Sequence, residues 1–393
     1  MDPVRNPYAP GAGQRPPELA GRDKQLAAFD IVLERIARGR PERSVMLTGL
    51  RGVGKTVLLN QLRSAAISRG WGTGKIEARP DQDLRRPLSS ALHMAVRAIA
   101  MSARNSEQVD DFLGILKAFA LRATADKGMR ERWQPGIDVP AVTGRADSGD
   151  IEIDLIELFK EAAALASDIG VGIAIFIDEM QDLGPADVSA ICGACHELSQ
   201  DGAPLIVVGA GLPHLPAVLS ASKSYSERLF SYHRIDRLDR ESADLALIAP
   251  AEREDVKFTE TALDSLYQRA DGYPYFVQAY GKAAWDQAPE SPITAEDVAV
   301  ASPAAEEELA VGFFGSRYER ATPAEREYMR AMADLAGDDA PVATSAVAAE
   351  LGRKPASVSP ARDGLIKKGL IYSAERGTIG FTVPHFGRYL RSV

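Results

Sequence analysis

Apolar residues recur along this chain in two rhythms, and the alternation between them predicts its architecture. Spacings of three and four mark helices at Leu26, Phe29, Val32, Leu33 and Ile36, at Leu58, Leu59, Leu62, Ala65 and Ala66, and at Leu88, Leu92, Val96 and Ile99. The same spacing holds for Phe112, Ile115, Leu116 and Phe119, and for Ile153 to Ala166, where Gly170 ends it. Between these lie short β-branched runs, at Arg43 to Thr48, Gly74 to Ala78, Ile173 to Ile177, Pro204 to Val208 and Tyr232 to Leu238. Five strands alternating with helices predict an α/β fold with a parallel sheet covered on both faces. The run Ile173-Ala174-Ile175-Phe176-Ile177 has no polar alternation and so reads as a central strand.

Outside this core the pattern changes. Residues 1–20 are rich in proline and glycine and read as an extended arm, which can still touch a ligand. Residues 126–150 read as an exposed loop with a short hairpin around Ile137 to Val142. Residues 241–286 predict two or three helices broken at Gly272-Tyr273-Pro274-Tyr275, and Pro289 to Pro303 reads as a linker. Beyond it come helices at 322–335, Thr344 to Leu351 and the stretch after Arg353-Lys354-Pro355. Leu370 to Tyr372 and Thr378 to Val383 then alternate as a hairpin with Glu375-Arg376-Gly377 at its tip, so three helices and a wing predict a winged helix-turn-helix. The expected domains are the arm, a core at 21–240 with a helical insertion and loop at about 85–150, a helical lid and linker at 241–303, and the winged helix at 304–393.

Charge and composition narrow the function. A formal net charge of -9 argues against indiscriminate coating of nucleic acid or anionic membrane, which needs a summed positive field. No apolar run reaches the roughly 18 residues of a membrane span, and Met1 to Pro7 lacks the apolar core of a signal peptide, so a cytoplasmic address and no membrane partner are expected. Cys192-Gly193-Ala194-Cys195-His196 spells a haem-attachment pattern, but both cysteines fall on helical core spacings beside Val188, Ile191 and Leu198, where a small apolar residue is wanted.

The sharpest chemical signal is Gly49-Leu50-Arg51-Gly52-Val53-Gly54-Lys55-Thr56, a G-x-x-x-x-G-K-[ST] loop between a strand and a helix beginning at Val57. Such a loop aims backbone N–H groups and a helix N-terminus at a polyphosphate, with Lys55 reaching the β- and γ-phosphates and the Thr56 hydroxyl available to Mg²⁺. Asp178 and Glu179 close the central strand, at the carboxyl edge where sites of open α/β sheets form. Asp178 is expected to hold Mg²⁺ and Glu179 to polarise the attacking water.

Together with Gly21-Arg22-Asp23, Ser226-Glu227-Arg228-Leu229-Phe230, Gly272-Tyr273-Pro274-Tyr275 and the C-terminal helices, these motifs resemble AAA+ ATPases of the origin-recognition and archaeal-initiator kind and their STAND relatives. The resemblance implies an ASCE-type P-loop sheet, a helical lid, a winged helix, and ATP with Mg²⁺. It also implies an arginine finger at Arg228, which would reach a neighbouring subunit of a homo-oligomer. Two departures stand out: Gly209-Ala210-Gly211 lacks the polar sensor of replicative members, and Tyr275 stands where a second-sensor arginine is usual. Both remove charge-stabilising groups and lead to an expectation of slow hydrolysis, the behaviour of a nucleotide switch.

Residues 320–393 hold eleven Lys plus Arg against eight Asp plus Glu, a local +3 that leaves -12 elsewhere. Arg353, Lys354, Arg362 and Arg376 lie where a winged helix touches duplex DNA. The alternative partner is protein, or the chain's own ATPase core.

Overall fold

The protein, described by a computed structural model at all residues except 12, 81, 101–105, 123–135 and 337–339, is built around a five-stranded sheet. The strands are β1 (Ser44–Thr48), β2 (Gly72–Glu77), β3 (Ile173–Asp178), β4 (Leu205–Gly211) and β5 (Phe230–Arg234). All pairings are parallel, in the order β2-β3-β4-β1-β5, so β1 lies between β4 and β5. Every residue of β1, β3 and β4 is buried, as unbroken apolar runs require.

Side-chain alternation along the strands divides the interior into two layers. Ala174 and Phe176 join one cluster, whereas Ile173, Ile175 and Ile177 join the other. The second layer is closed by the helices Arg85–Ala100, Ser106–Arg122, Ile151–Ile169 and Pro185–Asp201. The first runs from the helices Asp23–Ala37 and Lys55–Ser68 through the lid to the C-terminal domain without interruption. Glycine allows the tightest strand-to-helix approach: a Cβ at Gly74 would stand 2.3 Å from the carbonyl oxygen of Ala91.

Several expected boundaries move. Pairing with β1 carries β4 on to Gly211, opposite Thr48, and sets β5 two residues earlier than its apolar pattern indicated. No hairpin forms at Ile137 to Val142. The Val142 N–H donates instead to the carbonyl of Gly114 (3.0 Å), and the Lys117 ammonium donates to those of Ile137 and Val139 (2.9 and 2.8 Å). The helix Ser106–Arg122 thus takes up the polar groups a hairpin would have paired; the earlier part of that loop, at 126–135, lies outside the described residues.

The stretch expected as a linker is largely helix, Ala295–Glu308. Thr294 and Asp297 cap it reciprocally: the Thr294 N–H donates to Oδ2 of Asp297 (2.8 Å), and the Asp297 N–H to Oγ1 of Thr294 (3.3 Å). A π-helical segment, Leu309–Gly315, and the short helix Ser316–Tyr318 connect it to the C-terminal unit. There the helices Pro323–Ala336, Thr344–Glu350 and Pro355–Lys367 precede an antiparallel hairpin of β7 (Ile371–Ser373) and β8 (Thr378–Phe381), the element order expected of a winged helix. A further strand, β6 (Val342–Ala343), pairs with β8, and a helix, Phe386–Ser392, buries Phe386 and Leu390.

The N-terminal arm is docked along the lid. Tyr8 is buried and its hydroxyl donates to the carbonyl of Leu247 at 2.6 Å, while Trp285 Nε1 donates to the carbonyl of Asp2 at 3.0 Å. Among the described residues no helix is long and apolar enough to cross a membrane.

One buried ion pair pins the inserted helices. Nη2 of Arg85 donates to Asp154 at 2.7 Å, and Asp154 also accepts from the N–H and hydroxyl of Ser148 and the N–H of Gly149. Burial pushes the Asp154 carboxyl up, but the hydrogen bonds from Ser148, Arg85 and Gly149 outweigh it and hold the carboxyl below its ordinary range. Replacing Asp154 with alanine strands the Arg85 guanidinium, and we expect a loss of roughly 3–5 kcal/mol of stability, measured as a lower urea midpoint.

Candidate functional site

The loop Gly49 to Thr56 leaves β1 and enters the helix Lys55–Ser68, which brings a helix N-terminus under it. The Gly49 N–H donates to the carbonyl of Gly211 at 3.1 Å, and a Cβ on Gly49 would lie 2.1 Å from the carbonyl oxygen of Ile235. Gly52 and Gly54 turn with φ of 85° and 89°, a conformation open to glycine without steric penalty. Behind the loop Arg22 is buried, its Nη2 donating to the carbonyls of Val53 (3.0 Å) and Asp236 (2.7 Å).

Lys55 folds back over its own loop, and Nζ donates to the carbonyls of Gly49 and Leu50 at 2.8 Å each. Burial lowers its pKa to about 8, with Glu179 acting in the opposite sense. Asp178 is buried at the end of β3, and its Oδ1 accepts the N–H of Glu179 at 3.0 Å. Glu179 itself is left-handed, with φ 50° and ψ 41°, a non-glycine outlier of the kind found at functional sites. Its two oxygens are both engaged: Oε1 pairs with Nη1 of Arg51 at 2.9 Å, and Oε2 accepts from Nε2 of Gln181 at 2.6 Å.

Gln181 also explains the bare glycines at the end of β4. Its Oε1 accepts the Leu212 N–H at 2.9 Å and would stand 2.7 Å from a Cβ on Gly211, so glycine makes room for the amide. A polar side chain thus does reach the edge of β4, from the β3 turn rather than from β4 itself. A Cβ on Gly209 would meet sulfur atoms of Met46 and Met180 at 2.5 and 2.6 Å.

A cavity of about 660 Å³ opens over the loop, within the range of small-molecule sites. Lys55, Thr56, Val57 and Glu179 line it from the core, Gly11, Gly13 and Pro16 from the arm, and Tyr275 from the lid. Arg317 and Arg320 enter from the connector, and neither is among the residues the sequence points to for the site, because both precede the first clear apolar period of the C-terminal unit. Tyr275 stacks on Phe313, with centroids 4.7 Å apart, and the Arg317 guanidinium lies 4.3 Å from the same ring's centroid.

The C-terminal unit touches this site directly. The Arg51 N–H donates to the carbonyl of Thr382, just past β8, at 2.8 Å. Tyr372 of β7 stacks on His214 at 6.0 Å, and His385 lies 5.6 and 5.3 Å from the rings of Tyr273 and Phe276. Of the residues expected to meet DNA, Arg353 pairs with Glu327 (3.0 Å) and Arg362 with Asp363 (2.8 Å), while Lys354 and Arg376 are exposed. Arg228 is exposed on the short helix Ser226–Leu229, apart from the cavity lining. Cys192 and Cys195 are buried and free; burial raises both thiols, that of Cys195 to about 12, which suits packing rather than redox chemistry.

Residues 311–390 match a domain of unknown function (DUF8462). No curated protein matches the chain. Among solved structures it is similar to the Walker-type ATPase PABY2304 of Pyrococcus abyssi, at 15% identity over 96% of this chain and 97% of that one, with a TM-score of 0.58; the likeness is one of fold. It is also similar to the RuvB Holliday junction branch migration motor of Thermotoga maritima, at 17% identity, 92% of each chain and a TM-score of 0.45. A third is the Orc1 protein of Aeropyrum pernix in complex with DNA, at 15% identity, 99% of this chain and 96% of that one, with a TM-score of 0.46. Residues 18–208, which hold the phosphate loop, Asp178 and Glu179, match the AAA ATPase domain, and the protein is accordingly an ATPase built on that domain.

Proposed function

We propose that the protein is a slow ATP-dependent switch whose C-terminal winged helix is docked on the phosphate loop and repositioned by the nucleotide. One observation carries this reading: Arg51 joins the loop to Thr382 through its backbone N–H and to Glu179 through its guanidinium. A polyphosphate entering the loop competes for that guanidinium, so occupancy of the site and docking of the winged helix act on one residue. The geometry favours a winged helix packed on its own core over one held free of it.

Lys55 would meet the β- and γ-phosphates, and releasing its two carbonyl contacts is part of binding. The Thr56 hydroxyl and the Asp178 carboxylate fit a hard cation: Asp178 is buried beside Lys55 and forms no ion pair among the described residues. Bound there, Mg²⁺ would offset charge on the terminal phosphates. Glu179 would orient the attacking water once freed from Arg51 and Gln181, and its double engagement supports slow turnover. The exposed side chain of Arg228 is available to act on a neighbouring subunit.

DNA engagement is a second reading, supported by the exposed helix Pro355–Lys367 with Lys354 at its start and by Arg376 at the wing tip. The ion pairs of Arg353 and Arg362 reduce the free positive charge on that face, which makes the electrostatic footprint small. A mobility shift of duplex DNA that weakens between low and moderate salt, and weakens further in a Lys354→Ala/Arg376→Ala double variant, is the expected result; salt-insensitive or absent binding would leave protein as the partner.

Further outcomes follow from the site. Steady-state ATP turnover should stay below about one per second, Glu179→Gln should bind ATP without hydrolysing it, and amide hydrogen exchange around residues 371–382 should rise when ATP binds. Unchanged exchange there would sink the switch. Because burial holds Lys55 near pKa 8 and phosphate favours its charged form, binding above that pH must take up a proton. Affinity should therefore fall by up to about tenfold per pH unit above pH 8 and be insensitive to this group below pH 7; calorimetry in buffers of different ionisation enthalpy would register the proton.

A further inference from the structure

The phosphate end of the cavity carries more positive charge than its protein partners neutralise. Lys55, Arg51, Arg317 and Arg320 line it, and the carboxylates of the lining are already paired, Glu179 with Arg51 and Glu18 with Arg253. Arg317 is half-buried and has no carboxylate within ion-pair distance among the described residues. A half-buried guanidinium without a counter-charge is costly unless an anion completes the site.

Arg317 is also held in place. Its Nη1 donates to the carbonyl of Phe313, and its guanidinium lies over the Phe313 ring. Phe313 in turn stacks on Tyr275, whose N–H reaches the carbonyl of Gly52 at 3.4 Å. The guanidinium is thus tied through two rings to the phosphate loop, with most of its N–H donors still to be used. Burial, with Arg51 and Arg320 nearby, pulls its pKa down to about 10, so it keeps its charge at neutral pH.

We propose that Arg317, supplied by the connector rather than by a lid helix, reads the terminal phosphate and makes the site prefer a triphosphate over a diphosphate. The proposal rests on the nucleotide reading above. Tyr275 carries no charge with which to do this, whereas the connector runs directly into the C-terminal unit, so the residue that senses the phosphate also stands at the joint that would move.

The test is equilibrium binding of a non-hydrolysable ATP analogue and of ADP to the full-length chain, followed by fluorescence of labelled nucleotide. We expect Arg317→Ala to weaken the triphosphate analogue by about tenfold or more, the contribution of one charge-assisted hydrogen bond, with ADP affinity changed by less than about threefold. Arg317→Gln, which keeps a donor for the Phe313 carbonyl, should show the same selective loss, and Arg317→Lys should recover part of it. Equal loss for both nucleotides, full triphosphate affinity in either neutral variant, or loss in Ala that Gln restores would each overturn the role and leave Arg317 a structural tie. Should Arg317→Ala not fold, as judged by its thermal transition, the Gln and Lys variants decide. If the unmodified chain binds neither nucleotide, the nucleotide reading itself falls, an outcome distinct from ADP binding that survives with no selectivity change.

Discussion

Arg51 sits where the phosphate loop, the Glu179 carboxylate and the C-terminal unit meet. Its backbone N–H donates to the carbonyl of Thr382 and its guanidinium pairs with Glu179, so one residue bears both contacts. The environment enforces the arrangement. Gly369 stands beside the guanidinium, where a Cβ would lie 3.2 Å from Nη2, and a larger residue there would press on the arginine. Thr382 is fully buried and fixed by its hydroxyl to the carbonyls of Gly369 and Leu370, which makes its own carbonyl a rigid acceptor for the loop. A phosphate-binding loop needs free N–H groups, and here one of them is lent to the C-terminal unit.

Much of this organisation was legible in the residues. The phosphate loop, the buried run to Asp178, and the arrays of three- and four-residue spacing each follow from a local rule, and the structure places all of them in the expected elements. What escaped was of two kinds. The helix Ala295–Glu308 was obscured by Pro303 and by Pro289 and Pro292 before it, although its Thr-x-x-Asp cap was there to read. The hairpin expected at Ile137 to Val142 is absent for a different reason: the partners of its backbone groups are Lys117 and Gly114, on a helix 20 to 28 residues earlier.

The site shows the same division. Lys55, Thr56, Asp178 and Glu179 lie on elements whose local sequence announces them. Gln181 and Arg317 do not, because their meaning is relational. Gln181 matters because Gly211, thirty residues later, leaves it space, and Arg317 matters because Phe313 and Tyr275 stack between it and the loop. Gly211 at the end of β4 stands where a polar sensor is expected, and it makes room for one that comes from the turn after β3. The left-handed turn at Glu179 belongs with them, since it lets Glu179 and Gln181 face each other across two residues.

The docked arm has a consequence for how the chain is made. Tyr8 and Asp2 find their partners at Leu247 and Trp285, and further along the same arm Gly11, Gly13 and Pro16 line the cavity that Arg317 completes. Residues of the arm therefore wait for segments about 240 to 310 positions later in the chain. At roughly 5–20 residues per second that interval is about a quarter of a minute to a minute. During it the sheet can form around its phosphate loop, but the pocket has no roof, so a growing chain offers no closed nucleotide site until the segment that carries Arg317 and Arg320 has been synthesised.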